Sequence, residues 1–477
     1  MDRKITFHPI TRIEGHAKVT IILGEGEVKD AYFQVLEYRG FERFLRRRPI
    51  EEIPMITPRI CGLCSTSHHI ASVKAVDRIF GVEPPIQAEK LRKLLHYAGL
   101  LHSHILHFFI LYMPDILLKD LPPERRGFPE LLKRYSNLVK EILKVRRFSR
   151  KVLEELGSSS IHATPAIPGG FSKPISHEKR VELLREGREN LGRFIEIISE
   201  KAIFIDGILD VDINIPSNFI SLYFKGETPF YNSKIIRAVS SSGELIEDFH
   251  PEKYMEIIGE HVVPYSYAKA PYIKKLGYPK GTYRVGPLAR NNINGRLSTD
   301  MAAEFQEKMG LITGKPLTNP RYYNLARIAE CIYALERIIQ ILEDEGIENF
   351  KNNIPEGKIV NREAVGVVEA PRGTLIHHFK VDGEGSVEEA DLIVATVQNT
   401  PIIGVEIKEI AEKIMGKDDE NFEVKLFQEI SRLIRDYDPC LSCATHIPGF
   451  PLKVEIRSER GEIISEIPRG LGETGKL

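Results

Sequence analysis

A chain of 477 residues that is 42% hydrophobic and 28% charged can bury a large core of several layers, which excludes a disordered or low-complexity protein. Its 66 basic and 67 acidic side chains leave a formal net charge of -1, so no polyanion-binding surface is indicated and nucleic acid is excluded as a partner. Five cysteines make no disulfide framework in so long a chain, and four of them form two Cys-x-x-Cys pairs, which points to reduced, metal-binding thiols and a reducing compartment.

Met1 to Phe7 contains no apolar stretch of signal-peptide length, so no export signal is expected in it. Ile5–Phe7, Ala17–Leu23 and Val28–Val35 read as strands, the last two joined by a turn at Gly24-Glu-Gly26. That turn lacks the third glycine and the following helix of a dinucleotide fingerprint. Three long helices follow from apolar spacing of three and four over Gln87–Met113, Pro129–Leu156 and His177–Ile205, and they imply a bundle. Leu94 to Pro114 has no Asp, Glu, Lys or Arg over about the length a bilayer requires. It does carry His96, His102, Ser103, His104 and His107, so a buried core helix is the better reading than a membrane span. Ile161–Gly170 is a breaker-rich loop, and Lys144–Lys151 is a solvated helix face. Short strands at Phe219–Phe224 and Leu245–Phe249 mark a β-rich insert, and Tyr283–Arg290 reads as a loop. Asp300–Met309 and Tyr322–Leu342 read as helices, with Cys331 in the second as a small core residue. Glu363–Asp382 and Asp391–Val397 read as strands around a Gly-rich hairpin, Glu423–Arg435 as a helix, and Leu452–Arg457 with Glu462–Ile467 as a terminal hairpin. The expected class is α+β, mainly helical, in a single large domain. Its parts are a β region with the first Cys pair (1–60), a helical bundle (85–210), a β-rich insert (215–295), helices and strands with the second pair (296–446), and an extension (447–477).

The chemistry lies in Arg59-Ile-Cys61-Gly-Leu-Cys64-Ser-Thr-Ser-His68 and Asp438-Pro-Cys440-Leu-Ser-Cys443-Ala-Thr-His446. Four converging thiolates suit soft or borderline metals such as zinc, iron, nickel or copper. A zinc ribbon expects roughly 15 to 20 residues between its pairs, whereas 375 separate Cys64 from Cys440. If the pairs meet, the metal lies between the first and last parts of the fold.

These motifs, with Pro9-Ile-Thr-Arg-Ile-Glu14-Gly-His16, Arg39-Gly-Phe-Glu42, Pro168-Gly-Gly170, Val285–Arg290 and Glu369-Ala-Pro-Arg372-Gly373, resemble the large subunit of [NiFe] hydrogenases from end to end. Tyr38–Glu42 and His102-Ser-His104 make the chain most similar to the cytoplasmic branch that holds the F420-reducing and F420-non-reducing enzymes of methanogens. The resemblance implies nickel on Cys61, Cys64, Cys440 and Cys443, with Cys64 and Cys443 shared with an iron that carries CO and two cyanides. It implies reversible heterolysis of H2, with the proton taken by the Cys440 thiolate or by a deprotonated Arg372, and the thiolate favoured because the arginine pKa lies so high. Glu14 then relays the proton. Arg372 and Thr396 would face the cyanides. Glu42, the backbone carbonyl of Leu392 and His446 would hold a magnesium ion, and His68 and Ser103 would support the thiolates and Arg372. No cysteine set remains for an iron-sulfur cluster, so a small iron-sulfur subunit is implied, with F420, a nicotinamide or a heterodisulfide reductase complex beyond it. A non-catalytic relative, a hydrogen sensor or a subunit like the quinone-site subunit of complex I, is the alternative. A structural zinc protein is a further one.

Two departures stand out. Many members of the family place an aspartate between the two histidines of the long helix, where this chain has Ser103, and the cyanide site here reads Ala395-Thr-Val-Gln-Asn399, with no Trp anywhere. The 31 residues after His446 exceed the short peptide that maturation of the family removes. Cleavage after His446 is expected, although the hairpin pattern reads as a permanent element.

Overall fold

A computed structural model describes residues 3–200, 207–209, 213–415, 422–445, 454–457 and 463–467. The largest core joins the helical bundle to a three-stranded sheet and takes in Cys61, Cys64, Cys440 and Cys443. At its centre is the helix Ser65–Ile79, buried at every residue except Arg78. Its small residues let neighbours approach closely. Gly366, on the strand Glu363–Ala370, lies where an added Cβ would stand 1.9 Å from the Ala71 carbonyl oxygen, and Gly99, on the helix Ile86–Ile105, where one would stand 2.1 Å from Thr66 Oγ1. The two glycines mark the places where sheet and long helix touch this central element.

The long helix runs as expected to Ile105 and then widens into a π-helical stretch, Leu106–Tyr112, closed by the bond from Met113 N to Phe108 O (2.8 Å). Pro114 follows and has no N–H to continue a regular ladder. Ile86–Leu117 is long and apolar enough to cross a bilayer, but 78% of its apolar window is covered by protein, as expected for a core helix. The second expected helix is in fact two, Phe128–Arg134 and Ser136–Gly157. Tyr135 leaves helical geometry (φ -127°, ψ 42°) to pack against the core, its hydroxyl donating to Leu117 O. His177–Glu200 completes the bundle, and 201–205 of that expected helix lie outside the described residues.

The N-terminal strands Arg3–Phe7, Ala17–Gly24 and Glu27–Val35 form an antiparallel meander. The β-rich insert is a four-stranded sheet ordered Tyr283–Arg284, Asn218–Tyr223, Ile235–Val239, Leu245–Phe249. The segment 283–290, expected as a loop, therefore supplies a short parallel strand and then the helix Pro287–Asn294. Proline at the first helical position and Gly286 at φ +102° are what start it.

Glu363–Ala370, Gly373–Val381 and Val387–Ile393 make an antiparallel sheet with Arg372 at its first turn. The strand expected over Asp391–Val397 ends at Ile393, and a helix absent from the sequence reading, Ala395–Met415, begins two residues later. Pro401 hides it, because proline normally breaks a helix interior. Here the Thr400 hydroxyl donates to Val397 O (2.8 Å), the carbonyl that Pro401 leaves without an N–H. Phe422–Asp436 follows, and the terminal hairpin pairs Val454–Arg457 with Ile463–Ile467.

Gly366→Ala should lower stability by about 1–3 kcal/mol, because the methyl meets backbone rather than a side chain that can move. Gly192→Ala, on an exposed helix face with nothing within 4 Å, should raise it by up to about 1 kcal/mol. Thermal denaturation of the two variants should shift in opposite directions.

Candidate metal centre

The two Cys pairs meet. Cys61 ends the 3-10 turn Thr57–Ile60, and Cys64 caps the helix Ser65–Ile79. Cys440 and Cys443 follow Phe422–Asp436 after a reversal at Asp438, whose φ of +52° a short polar side chain tolerates. That loop is pinned to the N-terminal segment, since Glu14 bridges Cys440 and Leu441 N donates to Glu14 O (3.1 Å). Sγ atoms lie 3.1 Å apart for Cys61 and Cys440, 3.2 Å for Cys64 and Cys443, and 2.9 Å for Cys440 and Cys443. All four are buried, none is in a disulfide, and all lie within 4.8 Å of one another.

Burial pushes the Cys440 and Cys443 thiols up, while hydrogen bonds from Cys440, Cys443 and Cys61 hold the Cys64 thiol down. Sulfurs so close in a dry site cannot all ionise unless a cation lies among them. The donor set therefore fits a thiophilic transition metal. Beside the sulfurs is a small cavity walled by Ala370, Leu375 and Val394, into which Arg372 and Thr396 also reach. Thr396 Oγ1 accepts the Cys440 N–H (3.0 Å) and keeps its own proton to donate. Apolar walls with a few donors fit an iron carrying small neutral and anionic ligands.

Arg372 is fixed by bonds to Asp438 O (2.6 Å), Asp438 Oδ1 (2.9 Å) and Ser103 Oγ (3.3 Å). Burial pulls its guanidinium down, but the Asp438 carboxylate and the neighbouring sulfurs outweigh that and hold it well above its usual value. Arg290 secures the turn that carries Arg372, pairing with Glu330 and Glu369 and donating to Ala370 O and Pro371 O. Asp438 as partner of Arg372 escapes the sequence reading, although it opens the second Cys motif.

His68 Nε2 lies 3.6 Å from Cys443 Sγ, and its Nδ1 is 3.0 Å from His377 Nε2. His377 in turn meets Ser72 Oγ (2.8 Å) and Ser72 meets Thr57 Oγ1 (2.8 Å). Thr57, at the far end of this chain of contacts, donates its hydroxyl to Ile53 O (3.1 Å). His377 also escapes the sequence reading, because its partner is 309 positions away. His69 instead ties Pro54 O to Ala166 N. His102, His104 and His107 meet Arg146, Glu330 and the Arg435 carbonyl separately, so they do not converge on a metal. Cys331 is a buried residue of the helix Tyr322–Leu342 and lies outside the sulfur cluster.

Glu14 accepts from Ser442 Oγ (2.5 Å) and Ser442 N (3.1 Å). Glu42 accepts from Leu392 N (3.0 Å), and burial pushes its carboxyl up to about 8. Asp391, Glu260 and Lys269 act on the same pocket. A buried carboxyl of this kind suits a hard cation as counter-charge. His446, the third expected ligand there, lies outside the described residues.

Comparison with known proteins agrees with this geometry. Residues 39–117 and 247–446 match the family described as nickel-dependent hydrogenase, and residues 4–38 match one described as HoxL-like. One subunit of the vhu F420-non-reducing hydrogenase from Methanocaldococcus jannaschii is 40% identical over 86% of this chain and 99% of its own length. The beta subunit of the NAD-reducing hydrogenase HoxS from Cupriavidus necator is 34% identical over 98% of this chain and 100% of its own. A crystal structure of an NAD+-reducing [NiFe]-hydrogenase in the H2-reduced state superposes with a TM-score of 0.83 at 34% identity, covering 93% of this chain and 99% of that one.

Burial lowers the imidazoles of His69, His96 and His104 from 6.5 to about 4. Between those values the unfolded chain binds more protons than the folded one, so stability should fall as pH is lowered through this window. The loss is up to about 3 kcal/mol for each histidine. Urea denaturation at pH 7 and at pH 4.5 checks this, and equal midpoints would contradict the buried neutral state.

Proposed function

Because the chain belongs to the large-subunit family of nickel-dependent hydrogenases, we propose that it catalyses the reversible heterolysis of H2 and passes the electrons to an iron-sulfur partner. The observation that carries this is the cluster of four buried sulfurs with Arg372 beside it and Glu14 behind it.

In this reading Cys61, Cys64, Cys440 and Cys443 would hold a nickel-iron centre, and Arg372 and Thr396 would face the CO and cyanide ligands of its iron. When bound, that centre supplies a Lewis acid and electron acceptor at which H2 becomes acidic enough to be split. The chain supplies the base. Arg372 is kept charged by Asp438, which supports Cys440 Sγ over the guanidinium as the first proton acceptor. Glu14, held against the Cys440 loop, takes the proton next. The Arg372 side chain, locked by three hydrogen bonds, would orient the cyanides, and the packed walls keep bulk water from the base. Glu42, the Leu392 backbone carbonyl and His446 would hold magnesium.

Among the described residues only Cys331 remains outside the cluster, and one thiol cannot bind an iron-sulfur cluster. The electrons therefore need a second subunit. Which acceptor lies beyond, whether F420, a nicotinamide or a heterodisulfide reductase, is set by that partner.

Metal analysis should find nickel and iron, and infrared spectra should show CO and cyanide bands, whereas zinc alone would refute the reading. Serine at any of the four clustered positions should abolish turnover and metal retention, while Cys331→Ser keeps both.

Glu14→Gln keeps the shape of the side chain and removes its proton. H/D exchange between H2 and solvent should fall roughly a hundredfold with the metals still bound, and exchange at the wild-type rate would remove Glu14 from the path.

A further inference from the structure

Glu14 leads on to a further set of groups that neither the motifs nor the family comparisons assign. Ser442 Oγ stands between two carboxyl groups, 2.5 Å from Glu14 Oε1 and 2.9 Å from Glu37 Oε2. The other Glu37 oxygen, Oε1, is 2.8 Å from His16 Nδ1. Side-chain exposure rises outward, from 20% at Glu37 to 71% at His16. We propose that, given the H2 chemistry proposed above, protons leave Glu14 through the Ser442 hydroxyl to Glu37 and then to His16 at the surface.

The geometry of the serine carries the argument. A hydroxyl has one proton and can donate to only one of two carboxylates. Its contact with the other is a hydrogen bond only when that carboxyl carries a proton itself. A proton that arrives at Glu14 can therefore be passed across Ser442 to Glu37 with no movement of heavy atoms. A protonated Glu14 gives its proton to Ser442 Oγ as the proton already on Ser442 goes to Glu37 Oε2. The hydroxyl, now pointing at Glu14, turns back toward Glu37 once that carboxyl has passed its proton on. Rotation of the Glu37 carboxyl brings that proton to the side facing His16 Nδ1, which takes it, and the imidazolium releases one from Nε2 to water, so charge and protons balance at each transfer.

The backbone is shaped for this contact. Gly15 lies between Glu14 and His16 at φ +83°, and an added Cβ would stand 2.8 Å from Leu441 Cβ and 3.0 Å from Glu37 Oε1. Only glycine both adopts that turn and leaves room for the Glu37 carboxyl. From the other side, Arg39 donates to Ser442 O (3.2 Å) and Ile60 O (2.6 Å), fixing the residue that joins the two carboxyls.

The test uses the complete purified hydrogenase complex. Glu37→Gln and Ser442→Ala should each slow H2-dependent dye reduction and solvent exchange by roughly tenfold or more, with CO and cyanide bands unchanged. His16→Ala should slow both less, and added imidazole should restore them, which a structural role would not allow. Wild-type protein without H2 turnover would sink the reading of function itself. Wild-type turnover that Glu14→Gln stops but Glu37→Gln leaves at full rate would overturn this route alone, as would a His16→Ala defect that imidazole does not repair.

Discussion

Four sulfurs in a dry site repel one another as anions, and that repulsion is the constraint around which the molecule is built. Their approach to within 2.9–3.2 Å along three edges, without a disulfide, requires that two distant segments be held together by everything else. The central helix Ser65–Ile79 delivers one pair from the middle of the core. Phe422–Asp436 and the reversal at Asp438 deliver the other, and the Glu14 segment fastens that loop in place.

Around the sulfurs lies a shell of buried ion pairs: Arg372 with Asp438, Arg290 with Glu330 and Glu369, Arg321 with Asp436, and Arg284 with Glu406. Such pairs contribute little net stability, because desolvation offsets most of their attraction. Their value here is geometric. Each cation is a planar fork with donors in fixed directions, so Arg372 and the turn that carries it have a single orientation. Removing one partner would leave an uncompensated charge in the core, which makes the shell intolerant of partial change.

Much of this was legible in the sequence, and the parts that were not share a cause. Periodicity placed the long helices, and the two Cys motifs with Glu14 and Arg372 named most of the centre. The helix Ala395–Met415 was hidden because Pro401 normally argues against a helix, and the Thr400 hydroxyl that rescues it acts only once the chain is folded. The break at Tyr135 reflects tertiary packing that local spacing does not record. Asp438, His377, Ser442 and Glu37 stood in plain view as residues. Their partners lie far along the chain, at Arg372, His68 and Glu14, and one sequence has no pattern that links such positions.

The placement of the thiols near the two ends of the chain has a consequence for biogenesis. A ribosome exposes Cys61 and Cys64 early and must add 375 further residues before Cys440 emerges. Two thiols alone make a weak site, so strong capture of a metal waits until the second pair has docked. Metal occupancy is then a readout of completed synthesis and correct closure, and a truncated or misassembled chain is left without its reactive cargo.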